Sequence, residues 1–156
     1  MSFSKIFSII LLLVFIIFFF FFFYPTRDGS IEFQKIFIND QEIIVEIVQD
    51  AQLLKLGLAK YDELPDNQGM LFIFPESDFH GIWMKDMKFP IDIIWLDENF
   101  TIVDIKDNIK PETYPKVFYP QNVAHYVLEI KAGPVSYTHL RAHETVLDLV
   151  CRLLLE

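Results

Sequence analysis

The densest group of chemically capable side chains in the sequence is Trp83-Met84-Lys85-Asp86-Met87, followed by Pro90 and Asp92. Tryptophan and methionine offer adaptable apolar contact, and Lys85, Asp86 and Asp92 could orient a polar group between them. That pattern suits a ligand-binding surface groove. It also suits a core, with Trp83 and Met84 buried and Asp92 accepting backbone N–H bonds. Asp92 and Glu129 each interrupt an apolar run, where a carboxylate must face solvent or be paired. Two carboxylates brought close can divide acid and base roles, so Asp92, Glu129 and His80 are the catalytic candidates. His80 beside Gly81, and His125 ahead of the last apolar run, read more simply as loop residues. No Ser-His-Asp order, phosphate-binding loop or glycine-rich dinucleotide turn is present. The pattern calls for no cofactor, and it leans towards binding rather than catalysis.

Short β-rich segments must position these residues. Ile31 to Ile38 and Glu42 to Val48 read as a hairpin joined through Asn39-Asp40. Asp50 can cap a short helix over Ala51–Leu58, and Leu64 to Gly69 is a turn. Met70 to Phe74, Gly81 to Met84 and Ile91 to Leu96 read as further strands. The turn Asp97-Glu98-Asn99 leads into Phe100 to Ile105 as a second hairpin. Pro111, Pro115 and Pro120 keep Asn108 to Gln121 irregular, and Tyr126 to Lys131 forms a last strand before Gly133-Pro134. Many short strands with little helix predict a β-sandwich or small barrel.

The chain has 156 residues, 53% of them hydrophobic, with a net charge of −9. Both figures are unevenly distributed. Nine of the 17 Phe lie in Met1 to Tyr24, and Ile6 to Tyr24 is 19 residues without a charge. As a helix that stretch would measure about 28 Å, close to the ~30 Å hydrocarbon core of a bilayer. Lys5 ahead of it favours an N-terminus in the cytoplasm. The apolar stretch exceeds a signal-peptide core and has no small-residue cleavage site. An uncleaved signal anchor over residues 1–25, touching the membrane through 6–24, is the expectation; secretion after cleavage and a buried core helix are the alternatives. Residues 26–30 form a linker. Arg27 to Gly133 carries 10 Lys/Arg against 19 Asp/Glu, so the acidity belongs to this part. No basic stripe interleaved with aromatics appears, which argues against nucleic acid. With Cys151 the only cysteine, no intrachain disulfide can form.

The middle of the chain resembles the family known as domain of unknown function 192. The resemblance is carried by Gly57-Leu58, Leu64, Gly69-Met70-Leu71-Phe72-Ile73-Phe74, Trp83-Met84-Lys85-Asp86-Met87, Pro90-Ile91-Asp92-Ile93-Ile94-Trp95-Leu96-Asp97, and Val127-Leu128-Glu129-Ile130 with Gly133. It implies a mainly β, jelly-roll-like domain of bacteria or archaea, often secreted or membrane-anchored, and no assigned activity. The family commonly has Met and Arg where this chain has Ala59 and Tyr61. If that arginine pairs with the aspartate matching Asp92, the pair is lost here or replaced by Lys60. The family usually has Asn where Asp86 stands.

From Val135 the chain changes character, and residues 134–156 resemble a translated sequencing-adapter artefact. Such a tail would leave the β-domain, 31–133, truncated with one sheet edge exposed. His139, His143 and Glu144 in this tail mimic a metal site, but a zinc-protease motif places Glu directly after its first His, so no metal is expected. The reading is a membrane-anchored, extracytoplasmic β-domain serving as a binding or accessory module, with Trp83, Met84, Lys85, Asp86 and Asp92 as ligand contacts. An envelope hydrolase using paired carboxylates and a purely structural or interaction domain are the alternatives.

Overall fold

The computed structural model describes residues 11–16, 18–19, 31–38 and 41–133. The chain divides into two units, Met1–Ser30 and Ile31–Glu156. In the first, residues 11–16 and 18–19 are helical and exposed. Among the described residues no helix is long and apolar enough to cross a membrane; most of the stretch 6–24 lies outside them, as do the linker and the tail 134–156.

The second unit is mainly β. In chain order it runs β1 (Glu32–Ile38), β2 (Gln41–Val48), a short helix (Ala51–Leu56) continued by a 3-10 turn (Gly57–Lys60), β3 (Gln68–Asp78), β4 (Ile82–Trp83), β5 (Ile91–Leu96), β6 (Ile102–Ile109), a 3-10 turn (Pro111–Thr113), β7 (Val117–Phe118) and β8 (Ala124–Lys131). Six strands form one sheet in the order β1-β2-β3-β8-β5-β6, and β4 pairs with β7 in a separate ribbon. β1 and β2 form the expected antiparallel hairpin, as do β5 and β6. β2 and β3 run parallel, with the short helix and its 3-10 turn in the connection between them. The expected sandwich or jelly-roll-like barrel is thus corrected to an open sheet, whose described strands end at β1 and β6 without pairing to each other.

Alternation along the strands sorts the core into two clusters. One face gathers Ile36, Val45, Leu71, Leu128, Ile94 and Ile102, from each of the six strands. The opposite face gathers Met70, Phe72, Ile91, Ile93, Trp95 and Val127. Leu58, Leu64, Met84, Phe89 and Phe118, from the connections and the ribbon, pack over that second face. Because both faces are covered, β5 is buried throughout, the pattern of a continuous apolar run rather than strict alternation. Trp95 is fully buried, and its indole N–H donates to the His80 carbonyl at 2.8 Å. That bond satisfies the one polar atom of a side chain whose burial contributes a few kcal/mol.

Asp50 starts the short helix as sequence predicts: its Oδ1 accepts from Gln52 N at 2.8 Å and Leu53 N at 3.2 Å. Gly57 ends it at φ +54, in the left-handed region that favours glycine, with its N–H bonded to the Leu53 carbonyl. This stop brings Gly57 and Leu58 against β8.

Candidate functional site

The site is built around Glu129. Its neighbours in β8, Leu128 and Ile130, belong to the first core cluster, and Val127 to the second. Period-two alternation therefore directs Glu129 to the second face, with Met70 and Ile93 as its cross-strand partners. Only 5% of Glu129 is exposed. A β-carbon added at Gly57 would lie 3.4 Å from Glu129 Oε2, so this glycine lets the backbone come close to the carboxyl. The Leu58 backbone bonds the same carboxyl. Burial raises its pKa to about 8, and the Leu58 bond opposes that shift. At neutral pH Glu129 is therefore largely a neutral carboxylic acid with a proton to donate.

A cleft of about 50 Å³ opens against this carboxyl. Leu54, Leu56, Ile82 and Met87 give apolar wall, Trp83 joins them, and Lys55 and Lys85 are its other charged lining residues. The helix side and the β4 side of the cleft each supply one lysine. Trp83 is 45% exposed and meets the Tyr114 ring edge-on, 6.4 Å between centroids. Gly81, just before β4, is a close approach: a β-carbon there would fall 2.6 Å from Tyr119 Cε1 and 2.7 Å from Val117 Cγ1. Its glycine lets the ribbon strands pack and so places Trp83.

Of the five expected ligand contacts, Trp83 and Lys85 line this cleft. Met84 is buried in the core at 1% exposure, a correction to its expected place in a groove. Asp86 stands at φ +59 in the turn that Met87 N closes onto the Met84 carbonyl at 3.3 Å. Asp tolerates that conformation better than most residues, and Asp86 is not among the lining residues.

Asp92 faces away. It pairs with Ile130 of the first cluster, so it projects to the opposite side of the sheet from Glu129. Its Oδ1 accepts from Asn108 N at 2.6 Å and its Oδ2 from Gly133 N at 3.2 Å. Asn108 is itself left-handed at φ +51. Asp92 therefore ties the end of β6 to the chain after β8, and a paired-carboxylate centre of Asp92 with Glu129 is not formed. The His80 ring stacks on Phe74, 3.6 Å between centroids, and its Nε2 lies 2.9 Å from the Glu76 carbonyl. His80 does not reach the Glu129 cleft either. Lys60 does not replace a partner for Asp92: it pairs with Glu46 Oε1 at 2.5 Å, while Tyr61 OH donates to Glu46 Oε2 at 2.7 Å. Burial and this bond to Glu46 raise the Tyr61 pKa to about 12.

Ser77, Glu98 and His125 also meet. Ser77 Oγ donates to Glu98 Oε1 at 2.9 Å and lies 3.3 Å from His125 Nδ1. In a catalytic triad the acid orients the histidine; here it bonds the serine, so His125 gains no orienting carboxylate from Glu98. Among the described residues no group of three or more His, Cys, Asp or Glu could hold a metal; His139, His143 and Glu144 lie outside them.

Glu129, Trp83 and Lys85 stand out in the sequence, but as members of different sites. Lys55, the Gly57 close approach and the Glu46–Lys60–Tyr61 cluster do not stand out there. The one available signal for that cluster was Glu46, an acid within the β2 run.

A mainly β domain with one open sheet and a small cleft over a buried acid is thus the class of protein in hand. The chain belongs to the domain of unknown function 192 family, described as "Uncharacterized ACR", whose model matches residues 34–147. The match continues past Gly133 into the segment read as a foreign tail. Two crystal structures share the fold. One, of a "putative transcription regulator" from Sinorhizobium meliloti 1021, is 24% identical over 74% of this chain and 94% of its own, with a TM-score of 0.64. The other, a protein of unknown function from Novosphingobium aromaticivorans DSM 12444, is 21% identical over 78% of this chain and 88% of its own, also at 0.64. No curated protein matches the chain.

Proposed function

We propose that the protein is a binding or accessory module, held at a membrane by residues 6–24 with its β-domain outside the cytoplasm. The observation that carries the binding half is the cleft over Glu129, where a buried acid and the half-exposed Trp83 share one opening. Polar groups converging beside an exposed aromatic ring in one opening are features of a small-ligand site, here a small one of about 50 Å³. Trp83 exposure favours this over a purely structural role, which requires that ring to pack inward. The separation of Asp92, Glu129 and His80 removes the support for an envelope hydrolase. The anchoring half rests on the uncharged stretch Ile6 to Tyr24 behind Lys5.

Fractionation tests the anchor. The full-length chain should sediment with membranes and resist carbonate extraction, and its β-domain should be digested by protease added to spheroplasts. Full-length protein in the cytoplasmic fraction would overturn the anchor; a shortened chain in the medium would establish secretion after cleavage instead. A mixed panel of propionate, propylammonium and methyl glucoside, followed through the Trp83 indole resonance, tests the cleft. Binding of any probe there supports the module, and silence from all three overturns it.

A further inference from the structure

The chemistry of the cleft selects among such ligands. Its lining holds three ionisable groups: Glu129 on β8, Lys55 on the short helix, and Lys85 on the turn after β4. The two lysines come from segments thirty residues apart in a chain of net charge −9, yet they flank one opening. An ammonium or guanidinium ligand would meet two cations before reaching the acid. A ligand oxygen anion meets two attractive charges and, beyond them, a carboxyl whose burial keeps it protonated and able to donate. The available space would hold about three or four water molecules. That is the bulk of a carboxylate on one or two carbons, and the apolar walls suit the carbons.

We propose that the Glu129 cleft binds a small carboxylate on a short apolar stem, its oxygens held by Lys55, Lys85 and the Glu129 carboxyl hydrogen. This inference rests on the cleft being a binding site. The group can come from a free short-chain acid or from the C-terminus of a peptide. Binding consumes no bond and needs no co-reactant. It is coupled to the proton on Glu129: ionising that group would place an anion against an anion, so affinity falls as pH rises towards and past 8.

The test uses the full-length chain in detergent or nanodiscs. The sequence contains two tryptophans, so Trp83 reports and buried Trp95 serves as the internal control; Trp83→Phe assigns the peaks. Propionate should shift the Trp83 indole signal with a Kd of roughly millimolar order, as expected for so small a ligand, and bind about tenfold more weakly at pH 9 than at pH 7. Acetyl-glycyl-alanine with a free carboxylate, compared with its amide, separates the two sources. Binding of the free peptide at least tenfold tighter than propionate identifies a chain terminus, and equal or weaker binding identifies a free acid. Lys55→Ala with Lys85→Ala should weaken propionate at least fivefold while leaving the fold intact, as read from the Trp95 signal. Glu129→Gln keeps a donor at every pH, so it should bind with no change between pH 7 and 9. Propylammonium or methyl glucoside binding in place of propionate would overturn the carboxylate inference but leave the cleft a binding site. Propionate affinity that rises with pH, or that ignores both lysines, would also overturn it.

Discussion

Asp92 and Glu129 are two buried acids on adjacent strands, one register step apart, and they do different things. Asp92 meets two backbone donors, Asn108 N and Gly133 N, and is used up in tying the end of β6 to the chain after β8. Glu129 meets the Leu58 backbone and a cleft. The difference lies in which face of the sheet each occupies and how many donors wait there. A carboxylate with its lone pairs bonded to N–H groups holds a fold together. One buried with few donors is costly to ionise, keeps its proton and retains capacity for something else.

The largest expected effect separates the two acids by pH. Unfolded, Glu129 titrates near 4.5; folded, near 8. Below about 4.5 both states hold the proton. Between 4.5 and 8 only the folded state does, so stability falls as pH rises through that window and levels off above it. The full swing is about 5 kcal/mol. Glu129→Gln should remove it: denaturant unfolding of the variant should lose far less stability between pH 5 and 8 than the parent. An equal pH dependence in both proteins would erase the distinction between the acids.

Next comes Asp92→Ala, which removes the carboxylate acceptor of Asn108 N and Gly133 N, two donors on exposed residues. It should cost about 2 kcal/mol in denaturant unfolding, and Asp92→Asn, which keeps one acceptor, less. Gly57→Ala combines a left-handed backbone with a β-carbon 3.4 Å from Glu129 Oε2; about 1–2 kcal/mol should be lost, together with propionate binding. The smallest effect belongs to Trp83→Ala. With the ring 45% exposed, thermal unfolding should shift by the equivalent of about 1 kcal/mol or less, while the cleft loses a wall. A variant that fails to fold would place Trp83 with the structural residues.

The hairpins and the strands β5 and β8 were legible because β-branched and aromatic runs end at turn residues. The helix was legible through Asp50. β3 is longer than its apolar run, extending to Asp78 through Pro75, Glu76 and Ser77, because pairing with β8 resumes at Asp78 and Ala124 beyond an irregularity. Neither the parallel β2–β3 pairing nor the insertion of β8 between β3 and β5 has a local signal; both are settled by long-range packing. For the site, an acid in an apolar strand marked both Asp92 and Glu129, yet the sequence cannot say which face each takes. That depends on register with neighbours far along the chain. Lys55 was illegible for the same reason: nothing local says that the helix ends against β8.

Glu129 stands neutral where the cleft meets β8. Following the side-chain carboxyl carbon of glutamate-labelled protein by NMR, with Glu129→Gln to assign the resonance, tests it directly. A midpoint near 8 is expected for Glu129; a midpoint near 4.5, that of an ordinary carboxylate, would overturn its neutral state.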